Sequence, residues 1–302
     1  MPRTRSRRPG AVLLPARRYD CGVRRLGPPA ALLALALVLV GCGLKAEPTG
    51  DAAAFPSVAV DAAGAPVTLS GPPDRIVSLD PGASAILRGI GLEAAVIDAS
   101  PADASRLAAD PATDLVVVPL AMPAATAERL ATAGVAPVYR YGAAPIETAP
   151  SAITQLGLAV GRGPEAAAIA RSVADGLAAL ALRVGGEEPV RTLIQGPGVT
   201  AYGPQTPIGQ AVALAGGENV FAADAAWSPD VAATLDIAAW VSADPGGSTL
   251  AALAGIDELA AVPAIRDGRV VAVPRDGYPI DAALPRALED LASRLRAQGV
   301  AS

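Results

Sequence analysis

Pro164 to Val184 reads PEAAAIARSVADGLAALALRV, and the fold turns on what this stretch is. Ile169, Val173, Leu177, Leu180 and Val184 recur in steps of four, four, three and four, one stripe of a helix with about 3.6 residues per turn. Pro164 suits the first helical position, where its missing N–H is no loss, and Gly185-Gly186 ends the run. Its twenty-one residues, at about 1.5 Å each, span roughly 32 Å, the width of a small domain. Taken alone, the helix is either a rod between two α/β lobes or a long surface helix on one α/β domain. The flanks decide between the two.

On the N-terminal side, SVAVDAAGAPVTL (Ser57 to Leu69) alternates around a turn at Ala63-Gly64 and predicts a hairpin. Arg75 to Leu79 is a strand, followed by a short helix that Asp80 can cap and Pro81 can begin. Strands at 95–98, 115–118 and 135–139 and helices at 124–133 and 146–160 complete a β-α-β grammar, which implies a parallel sheet. After the long helix the grammar repeats. Strands are expected at 190–194, 237–241 and 269–273, and helices at 208–215, 250–259 and 284–298. The expected fold is therefore α/β: two Rossmann-like lobes joined by a single long rigid helix, with a ligand cleft between them. The expected domains are residues 1–41, a signal; 42–54, a tether; 55–149, the N-terminal lobe; 150–186, the connector; and 187–302, the C-terminal lobe.

The first forty residues hold eight Arg against one acid, Asp20, and Ala30 to Val40 is an unbroken apolar run. That is the pattern of a secretory signal, too short in its core for a permanent span, which needs about 20 residues. Leu39-Val40-Gly41-Cys42 resembles a bacterial lipobox, which implies cleavage before Cys42 and its lipidation. VRRLGPPAALL, from Val23, would itself make a normal short n-region, so residues 1–22 are expected to be an artefact of start-site choice. Removing residues 1–41 leaves 16 basic against 28 acidic residues, a net charge of −12. A surface this acidic disfavours nucleic acid and anionic lipid, so the membrane link is expected to be the lipid on Cys42. Cys21 lies in the signal, so the mature chain forms no internal disulfide.

The sequence contains no His, which removes Ser-His-Asp and imidazole acid–base chemistry and His metal sites. No Gly-rich phosphate loop follows a strand. Carboxylates remain, but nothing in the sequence marks a catalytic pair. The chain is expected not to be an enzyme, and no cofactor or metal site is expected.

Four segments, in order, carry a family likeness: RIVSLDPGASAILRGIGLEAAVID, DLVVV, GPQTPIGQAVALAGGENVF and IDELAAVPAIRDGRVVAVP. Together they resemble the solute-binding proteins of ABC importers for iron-siderophores and vitamin B12. The resemblance implies two lobes on one rigid helix with ligand in the cleft, matching the bottom-up reading that ligands sit beyond the C-terminal ends of parallel strands.

The candidate ligand set is read at those strand ends. Asp80 and Ser84 follow the first strand, and Arg140 with Tyr141 follow the strand at 135–139. Tyr202 sits in the Gly- and Pro-rich loop at 196–207, Trp227 in an irregular stretch, and Arg275 and Tyr278 after the last strand. Arg suits an anionic or planar ligand, and rings give contact area to a large one. Asp80 could equally be only a helix cap, and Trp227 an edge-of-core residue. The family docks on its permease through one surface Glu per lobe; at the corresponding places, near Arg106 and Ala233, only Asp103, Asp110 and Asp230 are close in sequence.

These observations predict a monomeric, lipid-anchored receptor on the extracytoplasmic face of a bacterial cell membrane. It would capture a ferric siderophore, or a cobalamin or haem-like chelate, and deliver it to an ABC permease. The other readings are an adaptor or sensor lipoprotein on the same fold and a carboxylate-based extracellular hydrolase. A single helical connector also predicts small lobe movements, with Gly176 as the place where the rod could give.

Overall fold

The computed structural model describes residues 55–134, 136–244 and 249–297; the signal and tether, including Cys42, lie outside the described residues. Ala52–Ser302 form one compact unit. Its first element is a hairpin, β1 (Ser57–Val60) and β2 (Pro66–Leu69), paired antiparallel from Ser57 opposite Leu69 to Val60 opposite Pro66. The Asp61 carboxylate accepts from Ala63 N and Ala65 N at 2.9 and 2.8 Å and closes the turn.

The N-terminal lobe follows. β3 (Ile76–Ser78) leads into helix α1 (Pro81–Leu87), then β4 (Val96–Asp98), α2 (Ala104–Ala108), β5 (Leu115–Pro119), α3 (Ala124–Ala133) and β6 (Val138–Tyr141). The sheet is all parallel in the order β4-β3-β5-β6. β3 and β5 are buried on both faces, as their continuous apolar runs require. A 3₁₀ turn, Ile146–Thr148, precedes α4 (Ala149–Ala159).

The connector is helix α5, Gly163–Val184. Its most buried residues are Ala166, Ala170, Val173 and Leu180. Alanines lead because the crossing with α4 is close: a Cβ on Gly157 would overlap Ala166. Further along, Gly176 leaves room for Pro285, which would stand only 2.6 Å from an added Cβ, and Arg183 pairs with Glu289 at 3.2 Å. At Gly176, the place where the rod was expected to give, the glycine admits the C-terminal helix.

The C-terminal lobe comprises β7 (Val190–Gln195), β8 (Thr200–Ala201), α6 (Pro207–Leu214), β9 (Gly217–Asn219), β10 (Ala225–Ala226), α7 (Pro229–Ala233), β11 (Ala239–Ser242), α8 (Leu250–Ala254), α9 (Pro263–Arg266), β12 (Val270–Ala272) and α10 (Leu284–Arg296). Its parallel strands run β9-β7-β11-β12, and β8 and β10 add an antiparallel flap beside β7. Side-chain caps start several helices: Asp80, Thr206, Ser228 and Thr249 each accept from a backbone N–H in the first turn.

The expected two-lobe α/β fold is borne out. Two local expectations are corrected. β6 starts only after Pro137, which lacks an N–H for the ladder, and runs through Tyr141; Arg140 and Tyr141 therefore lie inside the strand, not beyond it. The helix expected over 250–259 ends at Ala254, and Gly255 separates it from a 3₁₀ turn, Asp257–Leu259.

Candidate ligand cleft between the lobes

In each lobe the first parallel strand lies inside the sheet, with the second parallel strand on one side and the third on the other. The order reverses between β3 and β5 and again between β7 and β11, the switch points where parallel sheets open a crevice. The described loops leaving those strands build the candidate site: 79–84 and 120–122 from the N-terminal lobe, 196–206 and 243–244 from the C-terminal lobe, with 273–283 following β12.

Asp80 caps α1, its carboxylate accepting from Ala83 N at 2.8 Å. Burial raises its pKa, against the backbone N–H groups of Ala83 and Gly82, and the nearby Asp281 carboxylate raises it further. Ser84, one turn on, is 2% exposed and lies beside Asp98, whose carboxyl it lowers together with the Arg88 guanidinium. The Ser84 hydroxyl itself is buried with no hydrogen-bond partner among the described residues.

Arg140 is half-buried, and its Nη2 donates to the carbonyls of Leu120 and Met122, both at 2.6 Å. Its own N–H donates to the Asp61 carboxylate at 3.2 Å, and its carbonyl accepts from Ala62 N at 2.9 Å. The side chain braces the loop after β5, and the backbone fastens the hairpin to the sheet edge. Tyr141 is 1% exposed, and its hydroxyl donates to the Ile280 carbonyl in the other lobe at 2.7 Å. Burial, then the carboxylate of Asp80, holds its pKa well above the usual tyrosine range.

Tyr202 is half-buried, and its ring lies over Gly196 so closely that a Cβ there would stand 2.6 Å from the ring. It follows β8 directly, at the start of the loop to α6, and its N–H donates to the Ile194 carbonyl near the end of β7 at 2.8 Å. Trp227 is in a second core of the lobe, its ring edge-on to Trp240 at 5.1 Å and 80°. That burial takes it out of a cleft-facing loop, as its edge-of-core alternative requires. Trp240 Nε1 donates to the Gln195 side chain at 2.8 Å, a bond that pins the end of β7.

Arg275 is exposed in the turn after β12 and, among the described residues, pairs with no carboxylate. Tyr278 packs against the main core, its pKa raised by burial, with Arg294 and Asp290 of α10 acting on its hydroxyl. The structure thus brings Asp80 and Tyr141 together at the seam between the lobes, and places Tyr202 and Arg275 on the C-terminal side.

Sequence reasoning missed Gly82, Gln210, Ile280 and Asp281. Ile146 N donates to the Gln210 side chain across the lobes at 2.9 Å. Gly82, in Asp-Pro-Gly, was the one legible signal, a glycine where backbone approaches closely. Of the acids near the expected docking places, Asp103 pairs with Arg106 and Asp110 with Arg75, while Asp230 is exposed in the first turn of α7. Among the described residues there is no group of three or more metal-ligating side chains, and no helix is long and apolar enough to cross a membrane.

No family model matches the chain. A cobalamin-binding protein of Halobacterium salinarum is 30% identical over 196 residues, 57% of this chain and 52% of the relative. The chain thus spans about half the length of the curated relative it matches. Among solved structures, the periplasmic heme-binding protein RhuT from Roseiflexus sp. RS-1 aligns at TM-score 0.63 and 23% identity, over 74% of this chain and 97% of that one. An ABC-type Fe3+-hydroxamate transport system protein from Saccharomonospora viridis aligns at TM-score 0.60 and 19% identity, over 81% of this chain and 100% of that one. Helicobacter pylori CeuE aligns at TM-score 0.63 and 15% identity, over 79% of this chain and 88% of that one. The resemblance to the iron-siderophore and vitamin B12 class is borne out: the chain has the two-lobe fold of these periplasmic binding proteins and is similar in sequence to a cobalamin-binding relative.

Proposed function

We propose that the chain is the extracytoplasmic solute-binding protein of an ABC importer, anchored by lipid on Cys42, and that it captures a bulky, weakly charged chelate, a corrinoid before a ferric siderophore. One observation carries the choice of ligand: Arg140 is engaged by two backbone carbonyls, while Asp80 and Asp281 bring negative charge to the seam. An anionic iron chelate would want two free cations in the cleft, and Arg275 alone is uncommitted among the two arginines expected there. A neutral corrinoid needs contact area and a few hydrogen bonds instead. The similarity to a cobalamin-binding protein supports the same choice.

The ligand set proposed is Tyr202 and Arg275 from the C-terminal lobe, with Asp80 and the Leu120–Met122 loop opposite. The adaptor reading keeps one supporting fact: Asp103 and Asp110, the acids expected near a docking surface, are each paired with an arginine of the same lobe.

Isothermal titration with cyanocobalamin, haem and ferric enterobactin, a trianionic siderophore chelate, tests the proposal. Submicromolar binding of cyanocobalamin, with weaker binding of the other two, is the expected result. Binding of none by the folded protein would sink the transport reading in favour of the adaptor. Both tryptophans are buried in the second core, so calorimetry is a better reporter than their fluorescence.

A further inference from the structure

The lobes are held together by more than the connecting helix. Ile280 lies in the segment between β12 and α10, and its backbone comes across to the start of α1. Its N and O both lie 2.9 Å from where a Cβ on Gly82 would stand, so glycine is what admits it. Its carbonyl accepts the Tyr141 hydroxyl at 2.7 Å, joining positions 139 residues apart. Ile146 N and Gln210 Oε1 make a second cross-lobe bond at 2.9 Å. The charged groups that face this seam are Asp80 and Asp281, one from each lobe, and their like charge works against closure. The Tyr141 hydroxyl is therefore an attractive, directional contact set beside a repulsive pair.

We infer that Tyr141 is a positioning residue: through Ile280 it fixes the spacing of the two lobes and presets the cleft for a ligand that touches both. The inference rests on the cleft being the ligand site. A phenol this deeply buried already has its acceptor, so it acts on the ligand through lobe geometry. A cleft held at the right width before binding avoids the ordering that a loose one would require. Removing the hydroxyl leaves the half-buried Ile280 carbonyl without this donor, which loosens the contact by about tenfold.

Two variants test this from opposite directions. Tyr141→Phe keeps the ring and removes the donor. Gly82→Ala keeps the donor and wedges the α1 start away from Ile280. Each is compared with the wild-type full chain by hydrogen–deuterium exchange over residues 82–87 and 277–284, and by stopped-flow dissociation of cyanocobalamin, haem or ferric enterobactin. Both variants are expected to exchange faster in both segments and to release ligand about tenfold faster. The Ile146–Gln210 contact and the rod packing remain in place, so both variants stay folded. A purely local structural role would speed exchange and leave the release rate alone, and that result would overturn the inference. So would tighter binding in Tyr141→Phe, which would make the 277–281 segment an obstacle to ligand. If the wild-type protein binds none of the three probes, the functional reading fails, and unchanged exchange in both variants would by itself dismiss the spacing role.

Discussion

The two lobes share one plan and use its ends differently. Each has its first strand inside the sheet, and each carries an arginine on or just beyond its fourth parallel strand: Arg140 in β6 and Arg275 after β12. Arg140 sits within the ladder, half-buried, with two carbonyls on its guanidinium. Arg275 sits past the last ladder residue, in an exposed turn. The difference is where Pro137 and Pro274 fall. Pro137 delays the start of β6, so the strand absorbs Arg140; Pro274 follows β12 and starts the turn that leaves Arg275 in solvent. A residue type at a strand end predicts a role only once the strand's true last residue is known. The N-terminal end is committed to holding structure, and the C-terminal end keeps uncommitted groups.

The largest effect tests the rod. Gly157→Val would force a side chain into Ala166 and the Arg162 carbonyl, and a loss of about 3 kcal/mol or more is expected in urea unfolding. A wild-type midpoint would show that α4 and α5 are not in close contact. Arg140→Ala comes next. It frees the Leu120 and Met122 carbonyls, and about 1–3 kcal/mol of stability should go with it. Arg275→Ala should leave stability within about 0.5 kcal/mol of wild type and weaken ligand by about tenfold. Should Arg140→Ala instead leave stability untouched and abolish binding, the contrast between the two lobes collapses.

The smallest effect concerns pH. Asp80 has a pKa raised on folding, chiefly by burial, so its ionisation works against the folded state. Its contribution is fully present below the unfolded carboxylate pKa and fades as pH rises through the folded value. Asp80→Asn keeps a capping oxygen and removes the charge. Its melting temperature at pH 7 should be about 2 °C above wild type, and the gap should close toward pH 4. An equal gap at both values would mean that the charge is not what matters.

Much of the fold was legible. The 3.6-residue stripe of 164–184, the β-branched runs and the glycines that end helices are local signals, and each has a local physical cause. The site was legible only in part. Asp80 as a cap and Tyr202 in its loop follow from short-range chemistry. Trp227 looked like a cleft ring because its neighbours are irregular, and only its edge-on contact with Trp240 puts it in a core. Nothing within ten residues of Tyr141 tells that its acceptor is Ile280.

By itself, then, the sequence determined the α/β class, the rod, the likeness to periplasmic binding proteins and the absence of imidazole chemistry. These depend on residue type and on periodicity over one or two turns. Tertiary structure alone decided which arginine is free, that Trp227 belongs to a core, why position 176 is glycine and how the lobes are fastened. Each of those depends on a partner more than ten residues away in the sequence or on a register set by a neighbouring strand, and no local pattern encodes that.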